Sequence, residues 1–174
     1  SWSGVALYGT DGKLYDDFYE GLHNSGKPIL PTELKSKLPY MYEVIDKVYG
    51  DSPTTIVRLM RIAPKSSLLW HSHVQEHKQS ESELIIQIPI EMPTGFKDEF
   101  KWWKRFNKPN SFKSLSEFEM EEGNAYYFNS YHYHNVYNPS NQYRTALMFY
   151  VNSQHPYVDG LLKSSIEKEN EKKL

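Results

Sequence analysis

From residue 54 to residue 151 the chain breaks into short runs of branched and aromatic residues divided by turn residues. TTIVRLMRI (54–62), LLWHSHV (68–74), ELIIQIPI (83–90), EFEM (117–120), NAYYF (124–128), HNVYN (134–138) and YRTALMFYV (143–151) read as strands. PKSS, EEG, NSY and NPSNQ read as turns. Strands this short and this regularly punctuated predict a sandwich or barrel, since each must bury a face against another sheet. Aromatic residues form 15% of the chain, with 14 tyrosines among them, which suits packing on a pleated surface.

The flanks have another texture. Residues 31–50, PTELKSKLPYMYEVIDKVYG, predict a helical segment. Thr32 can cap it, Pro39 suits a helix start, Met41, Val44, Ile45 and Val48 keep helical spacing, and Gly50 stops it. The tail LLKSSIEKENEKKL (161–174) predicts a short charged helix. TGFKDEFKWWKRFNKPNSFKS (94–114) interrupts the strands. Its Lys101, Lys104, Arg105 and Lys108 alternate with Trp102, Trp103 and Phe106. They read first as an amphipathic helix burying the tryptophans, next as a lid over a site, and last as a stacking surface for single-stranded nucleic acid. The expected organisation is one domain over 1–174: a helical N-terminal support at about 31–50, a β core at about 54–160 and a charged tail at 161–174.

The formal net charge is −2, so nothing draws the whole chain toward nucleic acid or an anionic membrane. No apolar run reaches the roughly 18 residues of a membrane span. SWSGVALYG lacks a basic segment before a long apolar core, so no signal peptide is expected and a cytoplasmic location is the default. Cysteine is absent, so any bound metal must be held by His, Asp or Glu.

Five of the seven histidines fall in two stretches. LLWHSHVQEH holds His71, His73 and His77, and FNSYHYHNVYN holds His132 and His134. Taken singly, a strand histidine is more often packed or hydrogen-bonded without a metal. Together they weigh more, because alternate strand residues share a face. A mononuclear site on a β scaffold can take two ligands from one strand and a third from a distant one. Imidazole suits Fe, Zn, Cu and Ni, so the ligands alone do not choose the metal. Glu76 and Glu81 are further carboxylate candidates. Trp70, beside His71, reads as core or as pocket wall. Arg58 and Arg61 read as a surface pair, the alternative being that one of them meets a substrate carboxylate.

GNAYYFNSYHYHNVYN resembles the second cupin motif, with His134 and Asn138 at its histidine and asparagine positions. His71-x-His73, with Glu76 one residue short of the usual spacing, resembles part of the first. The fold this implies is mainly β: a double-stranded β-helix, or cupin-like jelly roll, with a helical N-terminal part and a short C-terminal helix. Arg144 follows His134 by ten residues. That step is similar to the histidine–arginine spacing of 2-oxoglutarate-dependent oxygenases, in which a planar guanidinium pairs with the far carboxylate of the cosubstrate. RIAPKSSLLWHSH, QIPIEMP, FEMEEGNAYYFNSYHYHNVYN and RTALMFYVNSQHP, in that order, resemble the aspartyl/asparaginyl β-hydroxylase family over roughly residues 54–160.

The resemblance implies that His71 and His134 bind Fe(II) and that Arg144 anchors the C5 carboxylate of 2-oxoglutarate. Gln87 stands where the family often has a histidine beside the cosubstrate. His73 stands where most of the superfamily has an acid, a position some members leave to water; it reads as a third ligand, as a hydrogen-bonding neighbour, or as the first ligand itself with His71 beside it, and His71 is preferred with His73 near the metal. Trp70, Trp102, Trp103 and His132 are candidate walls of the substrate pocket, and His77, like His132, reads as a surface or pocket-wall residue and not a ligand. The reaction implied consumes O2 and hydroxylates an unactivated C–H bond of a small amino-acid-like substrate, with 2-oxoglutarate converted to succinate and CO2. Two rivals stand beside it: a cupin metalloenzyme that does not use 2-oxoglutarate, and a non-catalytic β-barrel binding module.

Overall fold

The computed structural model describes residues 2–15, 26–49, 56–71, 83–93, 101–105, 120–128 and 133–171. Of Tyr49, Leu69, Trp70, Glu83, residues 101–105, Phe128, Tyr133 and Asn152 it describes the backbone alone. Nine strands are found among these residues: β1 (Trp2–Thr10), β2 (Ile29–Pro31), β3 (Val57–Ile62), β4 (Ser66–His71), β5 (Glu83–Glu91), β6 (Lys101–Arg105), β7 (Tyr126–Phe128), β8 (Tyr133–Asn138) and β9 (Arg144–Asn152). They pair antiparallel into a larger sheet, β2-β1-β3-β9-β5-β7, and a smaller one, β4-β8-β6. A mainly β, cupin-like jelly roll is the result.

The two faces of the larger sheet do different jobs. On β9, Leu147, Phe149 and Val151 join a core with Tyr42, Ile45 and Val158, which come from helices α1 (Pro39–Tyr49) and α2 (Pro156–Glu171). Met148 and Tyr150, on the opposite face, pack with Met60 and Ile85. β9 is therefore buried on both sides and reads in sequence as a nearly continuous apolar run. Val136 of β8 packs with Ile62 of β3 and with Met120, so this second face looks toward the smaller sheet. Among the described residues, those turned to this second face include Arg58, Met60 and Ile62 on β3, Ile85 and Gln87 on β5, the even residues of β9, and Val136 on β8.

The helical side closes over the outer face. Thr32 accepts from Leu34 N at 3.4 Å and caps a 3-10 turn over Glu33–Ser36, and its hydroxyl donates to Ala6 O at 2.9 Å. Pro39 then opens α1, where a missing N–H costs nothing. Tyr42 donates to Leu7 O at 2.6 Å, and Tyr8 to Asp46. Burial pushes both tyrosine hydroxyls above their ordinary range. The single helix expected over 31–50 is thus two pieces, split at Lys37–Leu38 before the proline.

Two further expectations change. Residues 101–105 form β6, an edge strand paired to β8, and not an amphipathic helix. The N-terminal residues 2–10 form β1, which the sequence reading did not place, and the C-terminal helix starts at Pro156. Residues 117–119 of the expected EFEM strand lie outside the described residues. Among the described residues no helix is long and apolar enough to cross a membrane.

Candidate metal and carboxylate site

β4 and β8 pair regularly at Ser66↔Asn138, Ser67↔Tyr137 and Leu68↔Val136, and the next recorded pair is His71↔His134. Three residues on β4 therefore match two on β8, a bulge of one residue. Its effect is on parity. Leu68 and Val136 face the larger sheet, and so does His134, two residues from Val136. His71, three residues from Leu68, would point the other way on a regular strand. The extra residue brings it back beside His134.

The two imidazoles are 4.3 Å apart at their ring centroids and tilted by 56°. Rings bound cis to one metal through bonds of about 2.1 Å bring their centroids to roughly 4.5 Å, so this donor pair fits a shared ion. His134 is 3% exposed, and His71 is half-buried at the rim. Among the described residues no third His, Asp or Glu joins them in a cluster able to hold a metal.

Arg144 opens β9 directly after the turn that ends β8. Asn138 builds that turn. Its amide donates to Gln142 O at 2.8 Å and to Ile62 O and Ala63 O at 3.2 Å, while its carbonyl accepts from Ser140 N at 3.1 Å and Ser140 Oγ at 2.7 Å. One buried amide thus ties the β8 end to β3 and to the start of β9. Arg144 is 1% exposed, and one of its terminal nitrogens donates to Gln87 Oε1 at 2.7 Å and lies 3.4 Å from Met120 Sδ. The Gln87 amide nitrogen points at Met148 Sδ, 3.9 Å away. Desolvation pushes the guanidinium down to about 9, still above neutrality, so it carries its charge while buried. A buried guanidinium there can hold a carboxylate through two parallel hydrogen bonds.

The structure brings together His71 with His134, and Arg144 with Gln87. His73 and His132 lie outside the described residues, as do His77, Glu76 and Glu81. Trp70 lies in β4, and Trp102 and Trp103 pair through β6 with Val136 and Asn135, but their side chains are outside the description. The expected surface pair divides. Arg61 lies 3.8 Å from Glu91 and 4.1 Å over the Tyr143 ring, at the surface. Arg58 is buried, because strand alternation turns it inward with Met60 and Ile62. Met120 went unnoticed in sequence, having no signal there beyond its place in a short β-like run.

A family model described as aspartyl/asparaginyl beta-hydroxylase matches residues 2–154. No curated protein matches the chain in sequence. Among solved structures, an oxidoreductase of the 2OG-Fe(II) oxygenase family from Burkholderia pseudomallei superposes with a TM-score of 0.53 at 14% identity, covering 86% of this chain and 66% of that one. A cupin domain from Bordetella pertussis gives 0.37 at 18% identity over 56% and 79%. The Drosophila melanogaster CENP-C cupin domain gives 0.38 at 7% identity over 54% and 59%. The chain thus spans under two thirds of the Burkholderia and Drosophila chains. The first of these likenesses shows a shared fold.

Proposed function

Since the chain belongs to the aspartyl/asparaginyl β-hydroxylase family, we propose that it is an Fe(II)- and 2-oxoglutarate-dependent oxygenase that hydroxylates an unactivated C–H bond of a small amino-acid-like substrate. One observation carries the reading: a facing imidazole pair and, ten residues beyond its second member, a buried guanidinium on the same inward-looking surfaces. An imidazole pair alone suits several metals. A buried fixed cation near it is what a dicarboxylic cosubstrate requires.

In this reading His71 and His134 hold the iron, and His73 is the sequence candidate for a third protein ligand. Fe(II) with 2-oxoglutarate supplies the oxidation: one O2 is consumed, the keto acid leaves as succinate and CO2, and a C–H bond becomes C–OH. The chain supplies placement. Arg144 receives the far carboxylate in its fork, and Gln87 Oε1 fixes the plane of that fork. Ile62, Met120 and Val136 keep water from the space around it, which strengthens the ion pair. Trp70, Trp102, Trp103 and His132 are the proposed pocket walls. A cytoplasmic setting, with no membrane or nucleic acid partner, belongs to the same reading.

Anaerobic titration with Fe(II) and 2-oxoglutarate tests it. A weak visible band that needs both is expected. Bound iron without that band would favour the cupin that does not use 2-oxoglutarate, and no binding of either would favour a non-catalytic module. Amino acids and short peptides are then screened for stimulation of succinate formation.

A further inference from the structure

We propose that the Met120 thioether is an oxidation site, and that its sulfoxide closes Arg144 to the cosubstrate. The inference rests on the oxygenase reading for its ligand and adds a means by which that ligand is shut out.

The Arg144–Gln87 pair has sulfur at both ends. The Arg144 nitrogen that donates to Gln87 Oε1 at 2.7 Å also points at Met120 Sδ, 3.4 Å away. The Gln87 amide nitrogen points at Met148 Sδ at 3.9 Å. A thioether is a weak acceptor, so a carboxylate outcompetes it for a guanidinium N–H.

Met120 is held beside the guanidinium. The chain just beyond it is tied down by three hydrogen bonds. Glu121 N donates to Tyr126 Oη at 2.7 Å, Met92 N to Glu122 Oε1 at 2.6 Å, and Gly123 N to Pro89 O at 3.0 Å. The Met120 side chain packs with Ile62 and Val136. An oxygen added to this sulfur therefore forms within reach of Arg144. A small oxidant can arrive there. Met120 is 5% exposed, against 2% for Ile62 and 1% for Val136. Hydrogen peroxide is uncharged and little larger than water, so it reaches a side chain that water touches.

The chemistry is a two-electron oxygen transfer from a peroxide, the class of oxidant that two-electron reduction of O2 gives. A sulfur lone pair attacks one peroxide oxygen, and the S–O bond forms as the O–O bond breaks. The departing oxygen takes the proton of the first and leaves as water. Sulfur is oxidised, the peroxide is reduced, and an apolar side chain becomes polar. The new oxygen carries a large partial negative charge and no hydrogen, so it accepts from Arg144 where the thioether barely did. A cosubstrate carboxylate must then break a strong bond before it binds. Methionine sulfoxide can be reduced, so the closure is reversible.

The test treats metal-free protein with hydrogen peroxide, removes the peroxide, and titrates anaerobically with Fe(II) and 2-oxoglutarate. Peptide mass spectrometry follows oxygen uptake at Met120 and at Met41, Met60, Met92 and Met148. The 2-oxoglutarate dissociation constant of the oxidised parent should rise about tenfold or more, the scale of one hydrogen bond to a charged group. The loss should track the fraction of Met120 sulfoxide, a comparison that needs no variant. Each variant is compared with its own untreated sample. Met120→Leu, a volume-conserving change, should lose no 2-oxoglutarate affinity on treatment, and Met148→Leu should lose it as the parent does. Met120→Gln, which sets a carbonyl oxygen near the place of the sulfur, should show the rise without peroxide. The proposal is overturned if Met120 takes up no oxygen, if affinity survives its oxidation, or if treated Met120→Leu loses as much as the parent. An equal loss of Fe(II) affinity would mean general damage and overturns it too. Sensitivity abolished by Met148→Leu and kept by Met120→Leu would assign the switch to the other sulfur. A parent that forms no Fe(II)–2-oxoglutarate band before treatment overturns the oxygenase reading, and this proposal with it.

Discussion

Arg144 donates a 2.7 Å hydrogen bond to Gln87 Oε1 across the β9–β5 pair, and both residues are buried. The bond holds one nitrogen of a planar group, which fixes the plane. Gln87→Glu would set a carboxylate against that guanidinium and give it an internal partner. The expected outcome is a rise of about tenfold or more in the 2-oxoglutarate dissociation constant, since an occupied cation must be released before it can bind ligand. Gln87→Leu should cost only a few-fold. Arg144→Ala should raise the 2-oxoglutarate requirement far more than it weakens iron binding. Anaerobic titration separates these effects, and equal loss of iron and 2-oxoglutarate in Arg144→Ala would sink the assignment.

The same pair predicts a flat pH response. Burial lowers the guanidinium only to about 9, and an amide has no proton to exchange near neutrality. Between about pH 6 and 8 neither partner changes charge, so 2-oxoglutarate affinity at saturating metal should stay constant. Gln87→His makes it titrate. Arg144 beside the new imidazole holds its pKa below the ordinary value of about 6.5, and protonation adds a positive charge facing a dianion. The sign is fixed: the protonated form binds the ligand more tightly, so affinity should rise as pH falls through about 6. The ratio of variant to parent dissociation constants at each pH removes metal-binding effects common to both. A ratio that does not vary with pH would contradict the placement of Gln87 beside the bound cosubstrate.

The strands were legible because their residues obey two-residue alternation or are apolar throughout, and both follow from burial against a second layer. β9 is an example: Leu147, Phe149 and Val151 face the helices, and Met148 and Tyr150 pack with Met60 and Ile85 on the other side, so the middle of the strand is apolar on both faces. What stayed hidden depends on pairing. The parity of His71 is set by an unpaired residue between Leu68 and His71, and a single strand's pattern carries no record of its partner's register. Arg58 and Arg61 look alike in sequence, and the three-residue step between them puts them on opposite faces, one inside and one outside. Residues 101–105 mix lysine and tryptophan in a way that suits a helix or an edge strand, and pairing to β8 decided it. The histidine–arginine spacing was legible as a resemblance; the hydrogen bond that orients the arginine was not.

Asn138 joins stability to site geometry. Its side chain makes bonds to β3, to the turn and to the start of β9 from a fully buried position. Asn138→Ala removes the acceptor of Ser140 N and a donor to the Ile62, Ala63 and Gln142 carbonyls, while the Ser140 hydroxyl keeps Gln142 O, at a cost of about 3 kcal/mol. For a chain of 174 residues that is about 10 °C in Tm. The turn also sets the separation of His134 from Arg144, so 2-oxoglutarate affinity should fall more than metal affinity. Calorimetric unfolding and the anaerobic titration check the two halves. A variant of normal Tm would show that the Asn138 bonds are replaced by water.

The bulge in β4 yields the sharpest test of how the imidazole pair is assembled. Its single extra residue restores His71 to the face of Leu68, so the strand should tolerate one change of length and not the other. Deleting Leu69 heals the bulge: the histidine then stands two positions after Leu68, still opposite His134 and on the same face. Inserting one alanine between Leu68 and Leu69 extends the irregularity to two residues, or reverses the parity of His71 if the bulge stays as it is. The deletion should keep stoichiometric binding of Fe(II), or of Mn(II) as an air-stable probe, with at most a modest loss of affinity from altered twist. The insertion should lose it, matching His71→Ala. Metal-induced stabilisation on heating reads both, since an ion that binds only the folded state raises Tm with its concentration. Equal loss in deletion and insertion would mean that the bulge itself, and not the parity it restores, is what the site requires.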